Sequence, residues 1–387
     1  MRIGVNLLWL KPKAMGGVEA FVKNLLKGFC EVDSQNEYVL FINRKAWQYL
    51  LSELHLPENF IFVIKDWDPF NVSGMVVKQF ININKLAMEY RVDVLYHPTP
   101  IYPIRKMKGI SQIVTFHDLL FLHYPEYASL FQRLKYLWTW RACLKNADKI
   151  VAISEFTKND IIKNFGIDKG KIEVIYNPVV LPEGSADFDE FATRYGLTRK
   201  RYFYIISSLL PHKNTEVLIR LMHLIVKEKV DRIPDKLVIS GVGKYKGTRL
   251  EQLVKELGVQ NNVIFTGFVT EEEKRALYEN CYAFLFPSLF EGFGMPPVEA
   301  LMIGTPVITT KAGALEEVTM GLALYINDPT SEEEWLHKIL SSCKWFLKEK
   351  DSKSLISVKE MYNPCYIGKT YYKLFEYIAE KSRRCIF

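Results

Sequence analysis

The sequence has no run of 18 or more apolar residues, which excludes a helix that spans a bilayer. Its first residues, Met1-Arg2-Ile3-Gly4-Val5-Asn6, show no charged lead, apolar core and small-residue cleavage site in succession. They read as a first strand and not as a secretory signal. There is no CxxC and no histidine at metal-ligand spacing. The six cysteines, at 30, 143, 281, 343, 365 and 385, are scattered, which argues for reduced thiols in a cytosolic protein and against a disulfide framework. No internal repeat or low-complexity tract is visible. No GxGxxG follows a strand and no acid follows a second strand at dinucleotide spacing, so a nicotinamide enzyme is disfavoured.

What is present is ordinary for a folded, soluble chain: 387 residues, 49% hydrophobic and 25% charged, a length that suits two domains. The net charge of +7 is unevenly placed. Residues 1–178 hold 23 Lys+Arg against 17 Asp+Glu, and the remainder 28 against 27. An excess of this size on one half suits an anionic substrate or a membrane face better than nucleic acid.

Short β-branched runs alternate with helical periods. Met1–Leu8, Tyr38–Ile42, Phe60–Ile64, Val92–Tyr96, Ser111–Phe116, Lys149–Ile153 and Ile172–Ile175 read as strands of one sheet. Tyr202–Ser207, Leu237–Ser240, Val263–Thr266, Ala283–Phe286, Pro306–Thr309 and Leu322–Ile326 read as strands of another. This β-α alternation predicts an α/β protein with two doubly wound, Rossmann-like domains facing each other across a ligand cleft. The boundaries read as 1–178 for the first domain, 179–200 for a linker rich in Pro, Gly and acidic residues, and 201–365 for the second. An amphipathic helix at 366–387 is expected to pack back on the first domain. Thr270-x-x-Glu273 and Ser331-x-x-Glu334 are capping boxes.

Several segments can carry chemistry. Gly16-Gly17, between the first strand and its helix, lets backbone approach an anion at a helix N-terminus, or simply makes a tight turn. Lys213, in Ser207-Ser208-Leu209-Leu210-Pro211-His212-Lys213-Asn214, follows the first strand of the second half, where a cation can neutralise a diphosphate. In Glu291-Gly292-Phe293-Gly294-Met295-Pro296-Pro297-Val298-Glu299, glycines leave amides accessible and two carboxylates eight positions apart can reach different hydroxyls of one extended ligand. His117 ends a strand and can donate to a sugar hydroxyl or an oxyanion, or can be structural. Asp66-Trp67-Asp68 has the look of a DxD metal signature but reads as a chance match. Residues 129–145 mix cations and aromatics at helical spacing, which fits either an anionic lipid surface or a core face.

Taken in order, Gly16-Gly17-Val18-Glu19, Ala152-Ile153-Ser154-Glu155, Tyr176-Asn177-Pro178, Pro211-His212-Lys213-Asn214, Glu291-x7-Glu299, Gly304-Thr305-Pro306 and Ala312-Gly313-Ala314-Leu315-Glu316-Glu317 resemble the retaining GT-B glycosyltransferases of family four (glycosyl transferases group 1), with a mannosyltransferase-like cast. The resemblance covers nearly the whole chain. It implies that Glu291 and the backbone of Gly292, Phe293, Gly294 and Met295 hold the donor sugar and its phosphate. It implies that Glu299 binds the ribose, that Phe268 and Val269 receive the base, and that Lys213 offsets the diphosphate. Gly16 and Gly17 would border the phosphate and acceptor pocket, and His117 would contact the transferred sugar. Many members carry Arg five residues before the diphosphate Lys. Here Ser208 stands there, which shifts leaving-group charge onto Lys213, backbone amides and His212.

The resemblance further implies front-face retention, no metal and no cofactor beyond the nucleotide diphosphate sugar as co-substrate. The expected reaction moves a hexose, best read as mannose from GDP-mannose, to a glycan or lipid-linked saccharide in cell-surface polysaccharide synthesis. The expected location is cytoplasmic, at the inner membrane face, with peripheral contact to anionic lipid through residues 101–150 and none to nucleic acid. Two alternatives stand beside it: a GT-B nucleotide-sugar epimerase, and a non-catalytic glycan-binding subunit of the same fold.

Overall fold

The computed structural model describes residues 1–342 and 352–384, so Cys343 and Cys385 lie outside the described residues. The chain divides into two units, one formed by Met1–Val179 with Tyr362–Phe387 and the other by Val180–Met361. By that division the first holds 28 Lys+Arg against 19 Asp+Glu, or +9, and the second 23 against 25, or −2.

The first unit is a seven-stranded parallel sheet of β1 (Arg2–Leu7), β2 (Glu37–Asn43), β3 (Phe60–Lys65), β4 (Val94–His97), β5 (Ser111–Phe116), β6 (Lys149–Ala152) and β7 (Ile172–Val174). Its order is β3-β2-β1-β4-β5-β6-β7. Helices cover both faces, so β2 and β5 are buried almost throughout and read as continuous apolar runs with little alternation. Helix Gly17–Val32 packs against the late helix Pro364–Arg384 at a close crossing. A Cβ on Gly28 would lie 2.2 Å from the Pro364 carbonyl oxygen, and one on Gly368 would lie 2.7 Å from the Gly28 oxygen. Two glycines therefore allow backbone-to-backbone approach. Beyond the crossing, Tyr371 and Phe375 are buried against Phe29 and Tyr96.

The second unit is a six-stranded parallel sheet of β8 (Phe203–Ile206), β9 (Leu237–Ser240), β10 (Val263–Gly267), β11 (Ala283–Phe286), β12 (Val307–Thr310) and β13 (Leu324–Ile326). Its order is β10-β9-β8-β11-β12-β13. Residues 179–200, read from the sequence as a linker, are not one. They include helix Phe188–Tyr195, capped by Asp187 and closed by Gly196 in the left-handed conformation. Phe188 and Phe191 are buried, and Phe188 stacks on Tyr202 of the second unit. The Pro and Gly residues that suggest a linker end at Gly184, and the acidic ones run on into the first turn of this helix, around its i,i+3 apolar pair.

The box at Thr270 and Glu273 is reciprocal. The one at Ser331 is half made: Ser331 caps the Glu334 amide, while the Glu334 carboxylate accepts from the amides of Asn327 and Asp328. Among the described residues no helix is long and apolar enough to cross a membrane, and Cys30, Cys143, Cys281 and Cys365 form no disulfide.

In each sheet the strand order reverses beside the first strand, between β1 and β4 and between β8 and β11. Outside the carboxyl ends at such a reversal the connections leave in opposite directions and open a crevice, where ligands of doubly wound sheets bind. The loops after β8 and β11 are those that hold Lys213 and Glu291.

Candidate functional site

In the second unit the Lys213 ammonium lies 2.6 Å from Glu291 Oε1 and 5.6 Å above the Phe286 ring. Several bonds hold the two loops in register. The His212 carbonyl accepts from the Leu289 amide at 2.7 Å and from the Ser288 hydroxyl at 3.3 Å. Asn214 takes the left-handed conformation that Asn tolerates, and its side-chain amide donates to the Pro287 and Pro329 carbonyls. Thr310 donates to the Ser288 carbonyl at 2.6 Å. The Glu291 carbonyl accepts from the Ala314 amide at 2.9 Å. Gly313 passes so close that a Cβ there would sit 2.1 Å from the Glu291 oxygen. The glycine of the Ala-Gly-Ala segment is thus a requirement of Glu291's position.

Helix Met295–Ile303 follows, with Gly294 as a left-handed N-cap and Pro296 and Pro297 in its first turn. The two prolines have no N–H, so the donors of this helix start are the amides before them, from Gly292 to Met295. Glu299, one turn in, is buried. Its Oε1 lies 3.0 Å from the Lys274 ammonium, and its Oε2 accepts from the Tyr278 hydroxyl at 3.0 Å. Both partners stand one turn apart on helix Glu271–Asn280. Burial works against the charge of Lys274, but Glu299 and Glu271 outweigh it and raise its pKa. Burial and the neighbouring Glu299 raise that of Tyr278 strongly, so it stays a hydroxyl donor.

Phe268, after β10, is 81% exposed, and its ring lies so close over Gly243, after β9, that a Cβ there would meet it at 2.6 Å. Val269 follows it, and the two form an apolar edge at the carboxyl end of β9 and β10. Ser208 is half-buried on the β8 loop with Lys213. The His212 imidazole is buried beside Lys213, and burial followed by that charge lowers its pKa to about 4. At that value the ring is neutral near pH 7 in the chain without ligand.

In the first unit, Gly16 has φ +49 at the start of helix Gly17–Val32, and a Cβ on Gly16 or Gly17 would meet nothing within 4 Å. His117, directly after β5, donates from Nε2 to the Pro98 carbonyl at 2.8 Å and meets the Phe21 ring edge-on. Burial lowers its pKa to about 4. A neutral ring whose Nε2 hydrogen is engaged leaves Nδ1 as an acceptor. Asp66 and Asp68 are each paired, with Arg44 and Lys45 of helix Arg44–Glu53.

A buried polar chain runs beneath the β1–β4 reversal. Asn6 donates to Gln79 and Tyr102, Tyr102 donates to His97 Nδ1, and His97 Nε2 donates to Gln112.

The sequence model described as Glycosyltransferase Family 4 matches residues 15–182, and that described as Glycosyl transferases group 1 matches residues 187–353. The chain belongs to this glycosyltransferase family. Among its relatives, the O-antigen chain mannosyltransferase RfbU of Salmonella typhimurium is 30% identical over 58% of this chain and 59% of its own length. The O-antigen chain mannosyltransferase B of Escherichia coli is 28% identical over 65% of each. The matched region thus spans about three fifths to two thirds of those two relatives.

The fold is GT-B, as its structural neighbours show. Sucrose-phosphate synthase from Thermosynechococcus elongatus superposes with a TM-score of 0.78 at 16% identity, covering 97% of this chain and 98% of that one. HepE from Anabaena, solved with UDP and glucose, superposes at 0.73 with 20% identity, covering 97% and 99%.

Sequence reasoning singled out Glu291, Glu299 and Lys213 and missed Lys274 and Tyr278. The available signal was slight: Lys274 follows three glutamates at the start of a capped helix and would be taken for a surface cation. The structure brings Lys213 and Glu291 together as a pair and gives Glu299 its own partners.

Proposed function

We propose that the chain is a retaining glycosyltransferase that moves a hexose from a nucleoside diphosphate sugar to a glycan or lipid-linked saccharide in cell-surface polysaccharide synthesis. The observation that carries this reading is the Lys213–Glu291 pair at the β8–β11 reversal, with Glu299 buried a short way along the next helix. Lys213 takes the diphosphate, Glu291 orients the sugar, Glu299 accepts ribose hydroxyls, and Phe268 and Val269 face the base. Mannose from GDP-mannose is the preferred donor, since both relatives described above are named mannosyltransferases.

Both carboxylates, Glu291 in the loop and Glu299 in the helix after it, are already engaged by cations, which favours front-face transfer over a covalent glycosyl-enzyme. The bond from the anomeric carbon to the diphosphate oxygen breaks, and the acceptor oxygen bonds to that carbon on the same face. Its proton passes to the departing phosphate oxygen, and Lys213 stabilises the charge that develops there. No metal enters this reading, because Lys213 supplies the positive charge and Asp66 and Asp68 have cationic partners. The first unit, at +9, takes an anionic, lipid-linked acceptor at its own crevice, bordered by Gly16, Gly17 and His117, and works at the cytoplasmic membrane face.

A panel of GDP-, UDP- and dTDP-sugars with the purified chain tests this by thermal shift and product analysis. Stabilisation by one nucleotide and an acceptor product of unchanged anomeric configuration are expected. An inverted anomer overturns retention. A product formed from donor alone establishes the epimerase, and no shift with any nucleotide establishes the non-catalytic subunit.

A further inference from the structure

Helix Leu130–Asn146 is apolar on two faces, and only one of them is covered. Trp140, Cys143 and Leu144 are buried, and Tyr136 stacks on Phe121 at 4.3 Å. On the other side Leu130, Phe131, Leu134 and Trp138 face solvent. The neighbouring helix Val72–Glu89 exposes Val77 and Ile81, four residues apart on one stripe. The exposure of these six runs from 56% for Val77 to 78% for Phe131. Phe80 and Trp138, with ring centroids 6.4 Å apart, join the two helices. Of the eighteen large hydrophobic side chains exposed among the described residues, eight stand on these two helices. That concentration marks a contact surface, where scattered single residues would not.

The charge on the same surface points to the occupant. Helix Leu130–Asn146 carries Arg133, Lys135, Arg141 and Lys145 and no acidic residue. The Arg105 guanidinium lies 4.7 Å above the Phe80 ring. A second copy of the chain would set these cations against themselves, which costs affinity at a two-fold interface. A bilayer with anionic headgroups pairs with the cations and takes the aromatic and aliphatic tips below its headgroup level.

We propose that these two helices seat the first unit on an anionic bilayer surface, with Phe131 and Trp138 as the inserting side chains and Arg141 and Lys145 at the headgroups. This deepens the reading of a membrane-face enzyme given above. It adds helix Val72–Glu89 to the stretch 101–150, and it rests on that reading only for its purpose.

The test is co-sedimentation of the full chain with vesicles of phosphatidylcholine alone or mixed with phosphatidylglycerol, at low and near-physiological salt. Binding to the anionic vesicles and not the neutral ones is expected, and added salt should weaken it. Phe131→Ser with Trp138→Ser, and separately Arg141→Glu with Lys145→Glu, should each cut binding about tenfold or more while the thermal transition stays in place.

Equal binding to both vesicle types, no binding to either, or variants that bind like the parent overturns the proposal. So does a parent dimer in size-exclusion chromatography that the Phe131 and Trp138 substitutions split, which makes the face a self-interface. The nucleotide-sugar panel needs no vesicles. Failure of sugar transfer and failure of membrane seating are therefore read in separate experiments.

Discussion

Lys213 and Glu291 form one ion pair, with the ammonium 2.6 Å from Oε1. In the proposed reaction a diphosphate must share that ammonium with the carboxylate or take it over. On the proposed function, Glu291 then tunes how strongly Lys213 holds a nucleotide, besides orienting a sugar. Glu291→Gln is expected to bind the free nucleoside diphosphate several-fold more tightly and to turn over far more slowly. Isothermal titration beside steady-state kinetics checks both halves, and weaker nucleotide binding by the variant contradicts the competition.

Lys213→Ala should lose about 10²–10³-fold in kcat, the usual cost of removing a donor that meets developing charge. Lys213→Arg should restore part of it, since the charge remains while the point-like ammonium is replaced by a broader fork. An alanine variant with parental kcat removes Lys213 from the mechanism.

Glu299 depends on Lys274 and Tyr278 for its orientation, and the two substitutions should separate. Tyr278→Phe removes one hydrogen bond to a buried carboxylate, worth about 1.5–3 kcal/mol. It should raise the donor KM with little change in kcat, and it should blunt discrimination against a 2′-deoxy nucleotide. Lys274→Met leaves a buried carboxylate without its cation, a loss of about 3–5 kcal/mol that should appear as a lower melting temperature.

Gly313→Ala brings a methyl group to 2.1 Å from the Glu291 carbonyl, at a residue with φ +64. The strain is relieved only by moving the loop. The expected result is a folded protein with the circular dichroism of the parent and a large loss of kcat. Gly16→Ala, where a Cβ meets open space but φ is +49, should cost about 1–3 kcal/mol of stability at most.

His97 and His117 both have pKa values lowered to about 4 by burial, against an ordinary value near 6.5. The unfolded chain therefore binds more protons between those limits, and the stability these neutral rings contribute is complete above pH 6.5 and lost as pH falls toward 4. The melting temperature should fall across that window. His97→Gln, which removes one titrating ring, should give a shallower fall; the same slope as the parent counts against a neutral His97 in the Tyr102–Gln112 chain.

The strands were legible because both sheets are buried on two faces. Ser111–Phe116, Leu237–Ser240 and Ala283–Phe286 stand in the structure at the bounds their β-branched and aromatic runs suggest. Glu291 and Glu299 were legible because loop glycines and a helix start surround them.

The pairing of Glu299 with Lys274 was not, since it joins two elements 25 residues apart and leaves no local period. Helix Phe188–Tyr195 was missed because eight residues give barely two turns of signal. For residues 129–145 the choice between lipid face and core was not open to sequence, because periodicity shows that a side is apolar and not whether another element covers it. The structure covers one side and leaves the other bare.

The crossing of Gly28 and Gly368 joins helices more than three hundred positions apart into one core. During synthesis, the first unit must wait for a helix translated after the whole second unit, the continuous segment Val180–Met361. The order of completion is thus the reverse of the order of translation. A chain cut short after Met361 would carry the whole second unit tethered to a first-unit sheet whose apolar flank, without Tyr371 and Phe375, lies open to chaperones and proteases.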